Sequence, residues 1–377
     1  MKKKGILSTC IILAIAIACA AIAGNSFNKK RNFVEDIVTD GTNVTEVFKL
    51  SRYNKNLKGT IGDTKVYVIQ GEEEGGSVLI LGGTHGNEPA GHMAAIVMLE
   101  ELSVSKGTVY IIPSINASGL THNDPLEGSP QYLHFTTPSG EQRVFHYGSR
   151  ATNPIDQWPD PDIYTHTSGQ SLSGSETRNL NRCYPGIKYG TLSEQVAYAV
   201  TKMINTEKID MEIDFHESSP EYAVNNAIVA HEDALDLAAL TLWDVEEDFQ
   251  ITLEKSPTNL HGLTHRELGD FTDTMALLME TANASQGRLH GRIDSDLVVT
   301  GKDKFYARAA KYGAVTVPYD DSGISISERC ARHIACITQF AEQYQFVGDG
   351  SAISLGDMPS YKQILKNGIG HYLSSPK

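Results

Sequence analysis

The chain has few of the cysteines on which small exported proteins often depend, with only five in 377 residues. Cys10 and Cys19 lie in the N-terminal apolar run. Cys330 and Cys336 are six residues apart in a segment of helical periodicity, so their side chains would point to different sides of the helix. At most one disulfide is therefore expected, and it would involve Cys183. The scarcity of cysteine excludes a disulfide-built fold.

Basic residues are also scarce, since 32 Lys and Arg stand against 46 Asp and Glu, which gives a formal net charge of −14. No basic cluster is dense enough to neutralise a row of phosphates, which excludes nucleic acid as a partner. An anionic substrate would have to meet a local positive patch. The length and the 40% hydrophobic content are those of one large α/β domain or two small domains.

The N-terminal segment differs in composition from the rest of the chain. Three lysines at positions 2–4 precede the apolar run 6–23, which ends in small residues. This order is typical of an export signal cleaved after Ala23. The run is also just long enough to be an uncleaved membrane anchor. The sequence predicts an exported protein, periplasmic or extracellular, which contacts a membrane only if residues 1–23 are retained.

The remaining chain predicts a linker followed by a single catalytic domain. Residues 24–57 are polar and mixed, which favours a linker, and residues 58–377 alternate between strand and helix patterns. Residues 66–69 and 78–81 are predicted to be neighbouring strands. From about residue 120 to 175 the periodicity is lost, and we expect loops that wall an active-site cleft.

A strand, a turn and a helix surround the first candidate site. The apolar run from Val78 to Leu81 stops at two glycines, a polar turn carries His85 and Glu88, and Pro89 opens an apolar helical segment. Turns at the ends of parallel strands usually present the groups that bind ligands. An imidazole and a carboxylate three positions apart form a spacing found in metal sites, although this pair alone is weak evidence.

Three further motifs supply partners for this pair in order along the chain: residues 178–182 (RNLNR), 214–217 (DFHE) and 278–281 (LMET). With these four motifs, from about Leu79 to Glu280, the chain resembles the zinc carboxypeptidase superfamily, in the branch of succinylglutamate desuccinylase and aspartoacylase. The resemblance implies an α/β fold, with a mixed, mainly parallel twisted β-sheet and helices on both faces. It is specific for the metal site and not for the substrate.

The resemblance also implies a role for each motif residue. The residues that match one bound Zn²⁺ per chain are His85, Glu88 and His216, which leave one position open for water. Glu280 matches the general base, and Asn181 with Arg182 matches the pair that grips the substrate carboxylate. Either Arg150 or Arg178 stabilises the oxyanion, and Arg150 is favoured because of its order in the chain; Arg178 is otherwise expected to bind substrate.

One position departs from the family pattern. The family commonly has an aspartate two residues before the Asn-Arg pair to orient a zinc-bound histidine, and this chain has Asn179. An amide can still accept that hydrogen bond, but it is neutral, so His85 would be a less basic ligand.

These observations predict an exported zinc hydrolase that uses metal-activated water to cleave an amide bond adjacent to a free carboxylate. The substrate is either a peptide, as for a carboxypeptidase, or an N-acyl amino acid, as for a deacylase. The alternative is an exported solute-binding protein with a non-catalytic pocket. The presence of both Glu280 and Arg150 favours the enzyme, because a binding protein needs neither.

Overall fold

The computed structural model of the chain describes residues 2–36, 43–124, 128–245, 250–348 and 350–376. Internal contacts divide it into two units, Met1–Val34 and Glu35–Lys377. The first unit contains one helix, and the second contains the sheet and the candidate site.

The helix of the first unit, α1 (Lys2–Arg31), has 30 residues and is therefore about 45 Å long at about 1.5 Å per residue. Its apolar part has a mean hydropathy of 2.7, and by length and composition it is long enough to cross a membrane. A signal sequence near an N-terminus has the same properties. The helix continues past Ala23. Export, cleavage after Ala23 and anchoring therefore stay predictions.

The strands of the second unit form one large sheet and two small hairpins. In the described residues they are β1 (Glu46–Lys49), β2 (Lys65–Gln70), β3 (Glu73–Leu81), β4 (Ser103–Ile112), β5 (Tyr132–Thr136), β6 (Gln142–His146), β7 (Ile163–Thr165), β8 (Ser171–Ser173), β9 (Met211–Ser218), β10 (Ala227–Ala230), β11 (Thr252–Lys255), β12 (Met275–Ala282) and β13 (Ser354–Gly356).

The helices begin at residues suited to helix starts. Pro89 occupies the first turn of α2, Thr191 and Glu194 form a capping box at α3, and Ser325 caps α8. The helices that follow α1 in the described residues are α2 (Pro89–Glu101), α3 (Leu192–Glu207), α4 (Leu235–Val245), α5 (Thr264–Phe271), α6 (Ser295–Thr300), α7 (Lys304–Lys311), α8 (Ile326–Val347) and α9 (Tyr361–Asn367).

The large sheet has nine strands in the order β1-β2-β4-β3-β9-β12-β10-β11, with β13 also paired to β4. The central strands β4, β3, β9 and β12 are parallel, and β10 and β11 are parallel to each other. The pairings of β1 with β2, β2 with β4, β10 with β12 and β13 with β4 are antiparallel. The predicted α/β fold with a mixed sheet is confirmed.

Helices cover both faces of this sheet, as predicted. On one face α2, α4, α8 and α9 pack against Val78, Ile80 and Ile213, and on the other α3 and α5 pack against Leu79 and Leu81. Successive strand residues point to opposite faces. In β9 this alternation sends apolar residues to the first face and the polar residues Glu212, Asp214 and His216 to the second.

The segment predicted as a linker, residues 24–57, differs from that prediction. Part of α1 lies in it, β1 pairs with β2 at the edge of the sheet, and Leu50 and Leu57 are buried in the core. Residues 37–42 of this segment lie outside the described residues. The polar composition concealed β1 because an edge strand needs few apolar side chains.

Two further predictions about the chain path were wrong in detail. The strands β2 and β3 are not neighbours, because β4 returns through α2 and lies between them. The segment 120–175 is not wholly irregular, since β5 pairs with β6 and β7 pairs with β8. Positions 125–127 of it are not described. Strands of three to five residues are too short for their hydrophobic periodicity to be distinguished from chance.

All five cysteines are free thiols. Cys183, Cys330 and Cys336 are buried, and Cys183 donates to the carbonyl oxygen of Asn179 at 3.2 Å. The second unit is therefore held together by its core and not by disulfides, as the sequence predicted.

Candidate active site

The turn that carries His85 and Glu88 joins β3 to α2 at the carboxyl edge of the parallel strands. Gly83 in this turn has a φ of +70°, which side chains other than glycine rarely adopt. A Cβ on Gly91 would lie 2.5 Å from the carbonyl oxygen of Phe215. The glycine therefore lets α2 lie directly against β9, and this close approach brings the turn to His216.

His85, Glu88 and His216 are buried together, with one ligand atom from each lying within 4.8 Å of the others. Glu88 Oε1 lies 2.7 Å from Nδ1 of His85, and its Oε2 lies 2.9 Å from Nδ1 of His216. The backbone N–H of Glu217 also donates to Glu88 Oε2 at 3.0 Å. Residues from two distant motifs are thus assembled into one three-ligand set.

The Nε2 atom of each imidazole also lies close to a side-chain oxygen. Nε2 of His85 lies 2.9 Å from Oδ1 of Asn179, so the predicted contact between these two residues is confirmed. Nε2 of His216 lies 2.9 Å from Oδ2 of Asp214. Partners of this kind fix the orientation of a ligand ring and raise its basicity. Both histidines therefore present Nδ1 to the same point.

The donor set fits a dication. Both nitrogens of His216 face carboxylate oxygens. Burial lowers the pKa of His216, but Asp214 and Glu88 outweigh burial and raise this pKa well above its ordinary value. Burial raises the pKa of Glu88, but the two imidazoles hold it well below its ordinary value. Metal binding competes with the protons in such a set. Two imidazoles and one carboxylate match the ligands of catalytic zinc sites.

Glu280 lies beside this set on β12. The parallel pairing of β12 with β9 places Glu280 opposite His216. Its Oε2 is buried and has no hydrogen-bond partner among the residues described. Burial raises the pKa of Glu280 to about 8, and the charges of Glu88 and Asp214 act in the same direction. A carboxyl group with an unpartnered oxygen next to a metal set is suited to proton transfer.

The metal set and Glu280 open onto a cavity of about 490 Å³, which Arg150, Asn181 and Arg182 also line. The side-chain oxygen of Asn181 accepts hydrogen bonds from the backbone N–H and the hydroxyl of Thr264, at 2.8 and 3.0 Å. These two bonds orient the amide. The amide nitrogen of Asn181 is thereby left to donate into the cavity.

Arg182 and Arg150 place two positive charges in this cavity. Burial and the neighbouring charge of Arg150 lower the pKa of Arg182 from its ordinary value. The nearest carboxylate to Arg182 is Glu176, at 3.8 Å, which is a loose contact. Two guanidinium groups held close together favour an anion between them. The geometry therefore suits a substrate carboxylate.

Arg178 is the exception among the predicted substrate-binding residues. Its Nε and Nη2 donate to both oxygens of Asp160, at 2.7 and 3.0 Å, and its Nη1 donates to the carbonyl oxygen of Thr152 at 2.9 Å. It does not line the cavity. This arrangement argues against the predicted substrate-binding role of Arg178, because every nitrogen of its guanidinium donates to Asp160 or to Thr152.

Sequence patterns missed several residues around the site. Asp214 could have been found, because it lies two residues before His216 on a strand and therefore shares its face. The buried pair of Glu217 and Arg329, 2.5 Å apart, had no local signal, since its partners are on β9 and α8. Glu217 also accepts from the N–H of Ala90 at 2.9 Å, and so fixes the start of α2.

His265 was also missed as a lining residue of the cavity. It is 3% exposed, and neither ring nitrogen has a hydrogen-bond partner among the described residues. Burial lowers the pKa of His265 to about 3, and the positive charge of His216 acts in the same direction. The ring is therefore neutral at physiological pH and can both donate and accept one hydrogen bond.

Comparison with known proteins gave matches among solved structures only. No family model and no curated protein matched the chain. A succinylglutamate desuccinylase/aspartoacylase from Rhodobacter sphaeroides is 19% identical with a TM-score of 0.35, and the match covers 58% of this chain and 51% of that one. The tripeptide-bound cell shape determinant Csd4 from Helicobacter pylori is 12% identical with a TM-score of 0.46, covering 80% and 59%.

An aspartoacylase family protein from Mesorhizobium loti is 19% identical with a TM-score of 0.34, covering 59% of this chain and 56% of that one. These matches span little more than half the length of each solved chain. They include the branch that the four sequence motifs resemble. At such identities and TM-scores a likeness carries no argument about activity, so the proposed function depends on this chain's own residues.

Proposed function

We propose that this chain is a zinc-dependent hydrolase that cleaves an amide bond next to a free carboxylate, with one zinc per chain. The observation that carries the proposal is the unpartnered carboxyl oxygen of Glu280 beside the buried set of His85, Glu88 and His216. A solute-binding pocket has no need of a carboxyl group that lacks a partner, since an unsatisfied buried polar group costs stability.

Bound zinc supplies a Lewis acid and lowers the pKa of water toward about 7. Glu280 accepts the proton of the attacking water and returns it to the leaving amine. A positive ion beside Glu280 favours its ionised form over the acid form. Bound zinc would therefore lower the pKa of Glu280 from its raised value toward the range in which the carboxylate acts as a base.

The remaining lining residues bind and orient the substrate. Arg182 and the amide nitrogen of Asn181 hold the free carboxylate, which fixes the amide relative to Glu280. Arg150 is half of the positive pair and faces the charge that develops on the carbonyl oxygen. A peptide and an N-acyl amino acid both offer a carboxylate next to the cleaved amide, so both belong to the proposed substrate class.

The test is metal analysis of the full chain, followed by hydrolysis of N-acetylated dipeptides and N-acyl amino acids with free or amidated carboxyl ends. We expect about one zinc per chain and cleavage of compounds with a free carboxyl end. His216→Ala should lose both zinc and activity. His134→Ala is the matched control, because His134 is exposed on β5 and should keep both.

Full zinc content in His216→Ala would contradict the metal site. If the wild-type protein cleaves none of these compounds, yet compounds with a free carboxylate raise its melting temperature, then it is a binding protein and the proposed activity is wrong.

A further inference from the structure

One surface of this acidic chain concentrates positive charge. Residues 288–312 contain six Lys and Arg against three Asp and no Glu, although the whole chain has a formal net charge of −14. The six cations are exposed, and none forms an ion pair with any residue in the described ranges. The surface that they form, called the basic patch below, consists of Arg288, Arg292, Lys302, Lys304, Arg308 and Lys311.

Two segments that are separate in the sequence lie side by side in the basic patch. The backbone N–H of Gly291 donates to Oδ2 of Asp303 at 2.8 Å, at the start of α7. Glu221 joins the same two segments, because its oxygens accept from the N–H of Arg288 at 2.8 Å and from the hydroxyl of Tyr306 at 2.6 Å. The fold therefore gathers cations that no dense basic run in the sequence marks.

The outward face of α7 carries exposed aromatic rings among these cations. The opposite face of the helix packs into a core cluster through Tyr306, Ala307 and Ala310. Phe305 and Tyr312 are 48% and 76% exposed. Residues 304, 308 and 311 follow the spacing i, i+4 and i+7, which places three positive charges on the face that carries these two rings.

This arrangement of charge is unfavourable for the helix itself. Like charges three or four positions apart destabilise a helix, and α7 contains no acidic residue that could offset them. Two of the three aspartates in the segment cap helices: Asp294 accepts from the N–H of Leu297 at 3.1 Å, and Asp303 accepts from the N–H of Phe305 at 2.7 Å. A local arrangement that costs stability favours a role in binding.

We propose that the basic patch binds the surface of an anionic phospholipid bilayer, with Phe305 and Tyr312 at the level of the headgroups. Lys and Arg are attracted to anionic headgroups, and aromatic rings are favoured at the membrane–water interface. The chain also contains α1, which is long and apolar enough to cross a membrane. The basic patch is a second membrane contact, separate from residues 1–23, and it does not depend on the proposed hydrolase activity.

The basic patch lies next to the cavity of the candidate active site. The hydroxyl of Thr316, four residues after Tyr312, donates to the carbonyl oxygens of Pro220 and Tyr222 at 3.1 and 2.6 Å. Tyr222 lines the cavity and is 57% exposed. The cavity therefore opens close to the surface that the basic patch binds.

The experiment is amine footprinting of the full chain in vesicles of phosphatidylcholine alone, or of phosphatidylcholine and phosphatidylglycerol in equal parts. A membrane-impermeant acetylating reagent modifies the lysines, and mass spectrometry gives the rate at each one. We expect Lys302, Lys304 and Lys311 to react more slowly in the anionic vesicles by roughly fivefold or more. Because α1 is present in both kinds of vesicle, it cannot cause this difference.

Lys202 is the internal reference, because it is exposed on α3 and lies outside the basic patch. Its rate should not fall in the anionic vesicles, since they repel the remaining surface of an acidic chain. At about 1 M salt the Debye length is about 3 Å, so the difference at the basic patch should disappear. Equal rates at the three lysines of the patch in both kinds of vesicle at low salt would overturn the proposal.

Arg308→Glu reverses one charge on the outward face of α7. It should remove most of the difference between the two kinds of vesicle at Lys304 and Lys311. Lys202→Glu is the matched control and should leave that difference as in the wild type. An undiminished difference in Arg308→Glu would contradict the assignment of the patch.

Two other partners for the basic patch predict different results. Slower acetylation with soluble polyphosphate but not with anionic vesicles would mean that the patch binds a soluble polyanion, and the bilayer assignment would be wrong. Slower acetylation in neutral vesicles as the protein concentration rises, with no further effect of anionic lipid, would mean that a second copy of the chain covers the patch. That result would also overturn the proposal.

Discussion

Replacement of Asn179 by aspartate tests whether the side chain that contacts His85 controls the affinity for zinc. The amide oxygen of Asn179 lies 2.9 Å from Nε2 of His85, and a carboxylate there would make the ring a more basic ligand. Partners of this kind change metal affinity by roughly 10- to 100-fold. From this contact alone, Asn179→Asp should bind zinc at least about tenfold more tightly.

The structure shows an opposing effect on the other side of the same side chain. The amide nitrogen of Asn179 donates to Oε2 of Glu176 at 2.8 Å. In Asn179→Asp that hydrogen bond is replaced by two carboxylates in contact. At about 4 Å two unit charges interact by roughly 4 kcal/mol at an effective dielectric of 20, and this is an upper bound because Glu176 is 32% exposed.

This repulsion moves the new carboxylate away from Nε2 of His85, and its upper bound exceeds the gain of roughly 1.4 to 2.8 kcal/mol expected from that contact. We expect Asn179→Asp alone to bind zinc no more tightly than the wild type. In the background of Glu176→Gln, which removes the repulsion, the same change should tighten zinc binding by about tenfold or more. The assay is chelator competition at constant pH on the four proteins of this cycle.

Two results would refute this reasoning. Tightening by the same factor in both backgrounds would show that Glu176 does not oppose the new charge. No tightening in the Glu176→Gln background would show that residue 179 does not govern the basicity of His85.

Three further predictions concern the arginines and the protons. Arg182→Ala should raise KM for substrates with a free carboxyl end and hardly affect amidated ones, whereas Arg178→Ala should leave KM unchanged and cost about 1–3 kcal/mol of stability in denaturant unfolding; equal KM effects would contradict the assignment. Arg329→Met leaves Glu217 buried without its cation, so the free energy of unfolding should fall by about 3–5 kcal/mol. The loss should be larger at pH 8 than at pH 5, because burial raises the pKa of the Glu217 carboxyl and its charged form predominates at high pH. The raised pKa of His216 means that a proton must leave when zinc binds. For each proton that zinc displaces, the zinc affinity should therefore fall by about tenfold per pH unit between pH 8 and pH 6. A zinc affinity that does not change with pH in chelator competition would contradict this.

Much of the fold followed from local patterns. The apolar runs 66–69 and 78–81 identified β2 and β3, and the helical periodicity around Cys330 and Cys336 identified α8, because buried strands and amphipathic helices have strong hydrophobic patterns. The position of β4 between β2 and β3 could not be predicted in this way, since it depends on packing between residues far apart in sequence. The edge strand β1 was missed for lack of apolar residues.

The candidate site divided along similar lines. His85, Glu88, His216 and Glu280 were predicted from their motifs and lie together, because each lies near the carboxyl end of a parallel strand or in the turn that follows it. Arg178 could not be separated from Arg150 by its sequence context. Its guanidinium is occupied by Asp160, a contact between two segments that carry no periodic signal.

The residues that line the far side of the cavity could not be predicted. Val229 and Glu254 lie on β10 and β11, which no motif marked, and their relation to Leu278 depends on the order of β12, β10 and β11 in the sheet. The pairing register of three strands cannot be derived from one sequence, because it depends on packing throughout the core.

The central claim is that Glu280 is the proton acceptor of a zinc hydrolase, and the most direct measurement is turnover by the zinc-loaded Glu280→Gln variant on the best substrate. Glutamine keeps the size and the hydrogen-bonding reach but cannot take a proton. Zinc content and substrate binding should remain, while kcat falls by roughly 10² to 10⁴. Turnover at the wild-type rate, with zinc bound, would contradict the mechanism.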